Sequence, residues 1–174
     1  MHPSIDRFDA AVDRAVDRYR VPAVDAVMYP VSSSADHSLL WFIIGTGLSV
    51  RRGDLRFAAR FAAAMGLESA LTNGPVKSMF QRTRPAPHAA EGPLPYGMRR
   101  PITSSFPSGH ATAAFTAAVL LADRHPGPWY ALAAVVAGSR VYVGMHHASD
   151  VVVGTGIGLA FGHALRRWVG TPGR

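Results

Sequence analysis

The sequence lacks cysteine entirely: none occurs in 174 residues. Disulfides, thiolate metal sites and a cysteine nucleophile are therefore excluded. Acidic residues are also scarce, with Asp+Glu at 11 against Lys+Arg at 18 and a net charge of +7. Such a balance points to an anionic partner: nucleic acid, anionic lipid or a phosphorylated substrate. The basic residues are scattered, with neither zinc-finger spacing nor a basic stripe, which speaks against nucleic acid. Long apolar runs are missing too. A membrane span needs roughly 20 mainly apolar residues. Here 48% of the residues are hydrophobic, yet mean hydropathy is only +0.11. No fixed-period repeat appears, and no alternation is long enough to build a sheet. No charged segment followed by an apolar core of about 7–15 residues opens the chain, so no cleaved signal peptide is expected.

What is present reads as helix, in one domain spanning residues 1–174. Over residues 4–20, Ile5, Phe8, Val12, Ala15, Val16 and Tyr19 recur at helical spacing. Asp6, Arg7, Asp9, Asp13, Arg14, Asp17 and Arg18 are assigned to the opposite face. An amphipathic helix of this kind suits a membrane interface. Pro22 and Pro30 bracket a short apolar piece, Ala23 to Met28, too short to span alone. Residues 1–35 thus form an N-terminal interfacial segment, and 36–168 a helical bundle.

Five apolar helices are expected in that bundle: 38–50, 55–76, 108–122, 129–145 and 150–165. Asn73-Gly74-Pro75 should bend or end the second. Glu68 lies within that helix and should face the bundle or the charged end, because an acid in lipid is costly. The Pro-rich stretch 83–104 reads as a loop, with Glu91, Tyr96, Arg99 and Arg100 over the site. The fold expected is an all-α integral-membrane bundle of about six helices.

Three clusters carry chemistry. In the first, Lys77 and Arg84 are seven residues apart and followed by Pro85. Arg84 can fork to phosphate oxygens while Lys77 acts as a point charge. The plainer reading is a basic helix end. Arg82 competes with Arg84 and is expected to face away. In the second, Pro107-Ser108-Gly109-His110 opens a helix, where unpaired N–H groups favour an anion. Ser108 would equally serve as a plain N-cap. The third runs from Ser139-Arg140 to His146, His147 and Asp150. Asp150 is i,i+4 from His146 and i,i+3 from His147, so spacing alone leaves either histidine as its partner. A carboxylate on one imidazole nitrogen would fix the tautomer and free the other nitrogen. Zinc on His110, His146, His147 and Asp150 is the metal alternative. Three neighbouring cations would repel a dication and already supply neutralising charge.

In this order and spacing, the clusters resemble the signature motifs of the type 2 phosphatidic acid phosphatase superfamily: K-x6-R-P, P-S-G-H and S-R-x5-H-x3-D. All three match without substitution from Lys77 to Asp150. The resemblance implies a metal- and cofactor-independent phosphatase acting on a lipid phosphomonoester or diphosphate, such as phosphatidate or a polyprenyl (di)phosphate. It implies that Lys77, Arg84, Arg140, Ser108 and the backbone of Gly109 bind phosphate. His146 would be the nucleophile, forming a phosphohistidine, with Asp150 orienting it and His110 as general acid and base. His147 replaces an aromatic residue often found after the nucleophile. Soluble acid phosphatases and vanadium haloperoxidases share these motifs and are the rival readings within the superfamily. A catalytically silent protein that binds anionic lipid is the rival from another class.

If successive helices are antiparallel, all three clusters meet at one end of the bundle. Arg51, Arg52, Arg56, Arg60, Arg124, Arg166 and Arg167 then fall at the other. The excess of arginine predicts that this second end is cytoplasmic. The chemistry would face the extracytoplasmic side of a multi-pass membrane protein.

Overall fold

Small residues decide the centre of the molecule. Gly109–Leu121 carries Ala at positions 111, 113, 114, 117 and 118, and each of these is buried. A helix apolar on all sides belongs inside a bundle, and the others pack around it. The computed structural model describes residues 2–85, 95, 98 and 101–170. Glu91, Tyr96, Arg99 and Arg100, expected over the site, lie outside the described residues.

Among the described residues there are seven α-helices and no strand: α1 Pro3–Arg18, α2 Pro22–Ser34, α3 Leu39–Arg51, α4 Leu55–Leu71, α5 Gly109–Leu121, α6 Gly127–Tyr142 and α7 Ala148–Val169. The five apolar helices fall where the sequence places them. The segment bracketed by prolines differs. It is a complete helix, α2, which starts at Pro22 and runs through Pro30 to Ser34. Proline is well suited to a first helical turn, where its missing N–H costs nothing. Helix α4 ends as Asn73-Gly74-Pro75 predicts. A π-helical turn, Thr72–Val76, follows it, with Gly74 out of helical geometry (φ −91°, ψ −105°).

Helices α5 and α7 run parallel and close together. A Cβ added at Gly154 would lie 2.6 Å from the Ser108 carbonyl oxygen, and one at Gly158 would lie 2.4 Å from that of Thr112. Only glycine permits that approach, which is how small-residue stripes bring membrane helices together. Both helices therefore begin at the same end of the bundle. At the opposite end Arg52 reaches Asp123 at 3.5 Å, and Arg166 donates to the Ala122 carbonyl at 3.0 Å. The guanidinium of Arg60 lies 6.0 Å from the Trp168 ring centre. The arginine-rich end expected from helix parity is thus one end in space.

Large apolar side chains remain on the outside, among them Leu39, Ile43, Val50, Leu55, Val135 and Val152. An outer face of this kind suits lipid. Helix α7, at 22 residues, is the one described helix long and apolar enough to cross a membrane by itself. Helices α3 and α5 are apolar but have 13 residues each.

Helix α1 corrects one detail of the sequence reading. Asp9 does not lie on the solvent face; it is 3% exposed and is the buried residue of that helix. On a helix Ile5, Asp9, Val12 and Val16 share one side, and that side faces α6 and α7.

Candidate active site

Four chain segments converge at the end where α5 and α7 begin. The π-helical turn after α4 redirects the chain so that Lys77 Nζ donates to Asn73 Oδ1 at 3.0 Å. Gly109 accepts the close approach of Asn73, whose Oδ1 would lie 2.7 Å from an added Cβ. Arg84 follows on an irregular segment. Its guanidinium donates to the carbonyls of Met145 (2.7 Å), Pro101 (3.2 Å), Ser104 (3.3 Å) and Thr103 (3.4 Å). Arg140, in the last turn of α6, donates to Ser32 Oγ at 2.5 Å, and its Nε is buried without a hydrogen-bond partner among the described residues.

These groups line one cavity of about 610 Å³, together with Gly109, His110 and His146. Six of the eight expected residues therefore share it: Lys77, Arg84, Gly109, His110, Arg140 and His146. Asp150 lies directly behind, fully buried, as an orienting carboxylate should. Ser108 departs from the expected phosphate role. It is fully buried, is not among the lining residues, and its Oγ accepts from Ala111 N at 3.4 Å as the N-cap of α5.

The two adjacent histidines separate cleanly. His147 is the N-cap of α7, and its ring lies 3.9 Å from Asp13 of α1. His146 faces the cavity. Its Nδ1 is 2.7 Å from the Ser105 carbonyl, which can only accept. Nδ1 therefore carries the proton, and the lone pair of Nε2 is presented beside Arg84, 3.4 Å away. The Asp150 carboxylate stands 3.7 Å from Nδ1. The tautomer is thus set first by a backbone carbonyl, with the carboxylate behind it, and not by the carboxylate alone as expected. Burial pushes the His146 imidazole down to about 3, with Arg140 and Arg84 adding to the effect and Asp150 opposing it. The ring is neutral, with a lone pair on Nε2. Lys77 is pushed down to about 8, by burial first and then by the charges of Arg84 and Arg140.

Two acids belong to the site without having been singled out in the sequence. Asp36 lines the cavity, where its Oδ1 is 2.9 Å from His110 Nε2 and 3.6 Å from Arg140. It lies in a short 3₁₀ turn, Asp36–Ser38, closed by Ser38 in left-handed geometry (φ 60°). Helix parity, extended one step to the start of α3, places Asp36 at this end. Asp9 is the second. It meets Arg82, which leaves the cavity as expected but turns toward the rear of His146 and bonds Asp150.

Among known proteins, the PAP2 superfamily pattern matches residues 57–174. The chain belongs to the PAP2 superfamily. It is 32% identical over 153 residues to decaprenylphosphoryl-5-phosphoribose phosphatase of Mycobacterium tuberculosis, in both the CDC 1551 and H37Rv strains. That alignment covers 84% of this chain and 80% of the mycobacterial protein. The fold matches the crystal structure of a transmembrane PAP2-type phosphatidylglycerolphosphate phosphatase from Bacillus subtilis. The TM-score is 0.70 at 26% identity, over 95% of this chain and 86% of that one. As a PAP2 protein the chain is a phosphatase, and its cavity has the parts that phosphoryl transfer needs. Three fixed cations line it, with a neutral imidazole beside a second histidine.

Proposed function

We propose that this protein hydrolyses the terminal phosphomonoester of a polyprenyl-linked lipid, with His146 as nucleophile. The observation that carries the reading is the cavity itself, which Lys77, Arg84 and Arg140 line together with His146, whose Nε2 faces Arg84 at 3.4 Å. Lys77, Arg84, Arg140 and the N–H end of α5 at Gly109 hold the phosphate oxygens. His146 Nε2 attacks phosphorus and the bond to the leaving oxygen breaks. Burial and Arg140 push the His110 imidazole down to about 4, opposed by Asp36 2.9 Å away. The negative charge of the bound phosphate favours the protonated imidazole, and His110 then gives the leaving oxygen its proton. The charge that develops on the phosphorylated imidazole is met by the Ser105 carbonyl and Asp150. His110, now neutral, takes a proton from water. The resulting hydroxide displaces His146 and releases phosphate. General acid–base work of this kind contributes roughly 10²–10⁴-fold.

The substrate class rests on the likeness of higher sequence identity, 32% against 26%, which is that to a phosphatase named for a decaprenyl-linked phosphoribose. The lipid part would lie against the apolar outer helices. With detergent-solubilised protein, kcat/KM should be higher for a polyprenyl-phosphoryl-phosphoribose than for phosphatidate or phosphatidylglycerol phosphate. The reverse order would replace the substrate class while leaving the phosphatase reading intact. His146→Ala, still folded, should release no phosphate; turnover at the wild-type rate would remove His146 from its role.

The same reading makes this a multi-pass protein with the cavity on the extracytoplasmic side, because the arginine-rich end carries the cytoplasmic charge signature. The natural absence of cysteine makes the test clean. In intact cells a cysteine at Thr103 should react with an impermeant thiol reagent and one at Arg52 should not. Labelling at 52 alone inverts the topology.

A further inference from the structure

Behind His146 lies a charge cluster that the phosphatase chemistry above does not use. Arg82 Nη2 donates to Asp9 Oδ2 at 2.5 Å, and Nη1 donates to Asp150 and, at 2.7 Å, to Ser149 Oγ. Ser149 in turn donates from its backbone N–H (2.8 Å) and its Oγ (2.7 Å) to Asp9. Asp9 is 3% exposed, and the Arg82 side chain is 13% exposed. Burial pushes the Asp9 carboxyl up, but bonds from Ser149 and Arg82 outweigh it and hold the group below the usual carboxylate range. It is ionised.

A buried carboxylate on an otherwise exposed amphipathic helix needs a reason. Interface attachment would be served by apolar residues, and an apolar side chain at position 9 would dock α1 against α7 without the cost of burying charge. Asp9 instead completes a fork. One guanidinium spans two carboxylates, which fixes its plane and both of its nitrogens. The remaining oxygen of Asp150 accepts from the His147 backbone N–H at 2.9 Å and lies toward His146. Both carboxylate oxygens of Asp150 are thereby held. Without Asp9 the guanidinium would settle on Asp150 alone and neutralise it more fully. The carboxylate would then do less for a phosphorylated imidazole.

We propose that Asp9 and Arg82 are positioning residues for the nucleophile: the N-terminal helix holds Asp150, and through it His146, by a carboxylate–guanidinium–carboxylate clamp. The inference rests on His146 being the nucleophile. Neither residue touches substrate. Their loss should therefore lower kcat and leave phosphate binding unchanged, because Lys77, Arg84 and Arg140 lie on the other side of the ring.

The test uses the full chain in detergent with Asp9→Asn, which keeps shape, and Arg82→Lys, which keeps charge but not the fork. A displacement on the order of 1 Å can cost about 10²-fold, so each variant should lose about tenfold to a hundredfold in kcat. KM and the inhibition constant of inorganic phosphate should stay within about twofold. In an Asp150→Asn background, read at high enzyme concentration, Asp9→Asn should add less than about twofold, since residues acting as a unit are not additive. Wild-type kcat in both single variants overturns the clamp, as does a full multiplicative loss in the Asp150→Asn background. Thermal unfolding of each variant identifies simple misfolding. If Asp9→Asn does not fold, Arg82→Lys alone decides by the same criteria. His146→Ala serves as control: an inactive His146→Ala with unaffected clamp variants removes the clamp only, whereas an active His146→Ala removes the nucleophile assignment beneath it.

Discussion

Arg82 and Arg84 are two residues apart and do opposite things. Arg84, in front of His146, is held by the carbonyls of Met145, Pro101, Thr103 and Ser104. Carbonyls orient a guanidinium without cancelling its charge, and this one lines the cavity. Arg82, behind His146, is shared by Asp9 and Asp150. Its charge is already answered, and what it offers is geometry. The partner decides the role, not the residue type or its place in the chain. The front of His146 is electrostatic, and the rear is mechanical.

The largest test of that difference is a pair of substitutions. Arg84→Ala removes a donor from the proposed phosphate site. Loss of one such donor costs about 10²–10³-fold in rate. It should also weaken inhibition by inorganic phosphate. Arg82→Ala should reduce kcat by a smaller factor and leave phosphate inhibition alone. If phosphate inhibition weakens equally in both variants, the front and rear are one electrostatic unit and the distinction fails.

Helix positions could be read directly from the sequence, and so could the front of the site. Apolar runs punctuated by Arg51-Arg52-Gly53, by Asn73-Gly74-Pro75 and by Asp123-Arg124 leave little freedom in where helices stop. The front residues occur in fixed local spacings, because each cluster shares one turn or one loop. The rear of the site was illegible for a physical reason. Asp9 and Asp150 are 141 positions apart in the chain, and nothing local ties them. Only the packing of α1 on α7 brings them to one guanidinium. A weak signal did exist: Asp9 falls on the same helical side as Ile5, Val12 and Val16, where an acid is out of place. The helix through Pro30 was hidden because proline usually interrupts a helix, and here the segment around it is long enough to continue. The Ser105 carbonyl could not be foreseen at all, since a backbone acceptor leaves no mark on side-chain spacing.

A second test uses pH and probes the front alone. Lys77 is pushed down to about 8 by burial and by its neighbouring arginines. The sign follows directly. In the proposed mechanism Lys77 binds phosphate when charged, so its contribution is complete below about 8 and is lost as pH rises through that value. Measured kcat/KM, which reports free enzyme, should therefore show a limb near 8 from Lys77, on top of the earlier fall as the acid His110, pushed down to about 4, loses its proton. Bound phosphate favours the charged form, so the limb in kcat should lie at higher pH. Lys77→Arg should move the kcat/KM limb upward, because arginine stays protonated. An unmoved limb in that variant assigns it to another group. His146, pushed down to about 3, contributes no limb in the neutral range. Rear variants such as Asp9→Asn should leave the alkaline limb where it is, which separates the two regions a second time.

The smallest effect is expected at Ser149, and it tests how the rear is built. Its Oγ accepts from Arg82 and donates to Asp9, so it ties together two groups that also bond directly. Its backbone N–H, which holds the other oxygen of Asp9, survives any side-chain substitution. Ser149→Ala therefore removes one strut of a clamp whose two main members remain. A hydrogen bond contributes about 1 kcal/mol net, so kcat should fall by no more than about fivefold, with KM unchanged. Because Asp9 and Arg82 stay paired, the loss should be well below that of either Asp9→Asn or Arg82→Lys. A Ser149→Ala variant as impaired as Arg82→Lys would mean that the hydroxyl, and not the fork between carboxylates, sets the position of Asp150. The rear of the site would then be a local feature of the first turn of α7, with α1 a bystander.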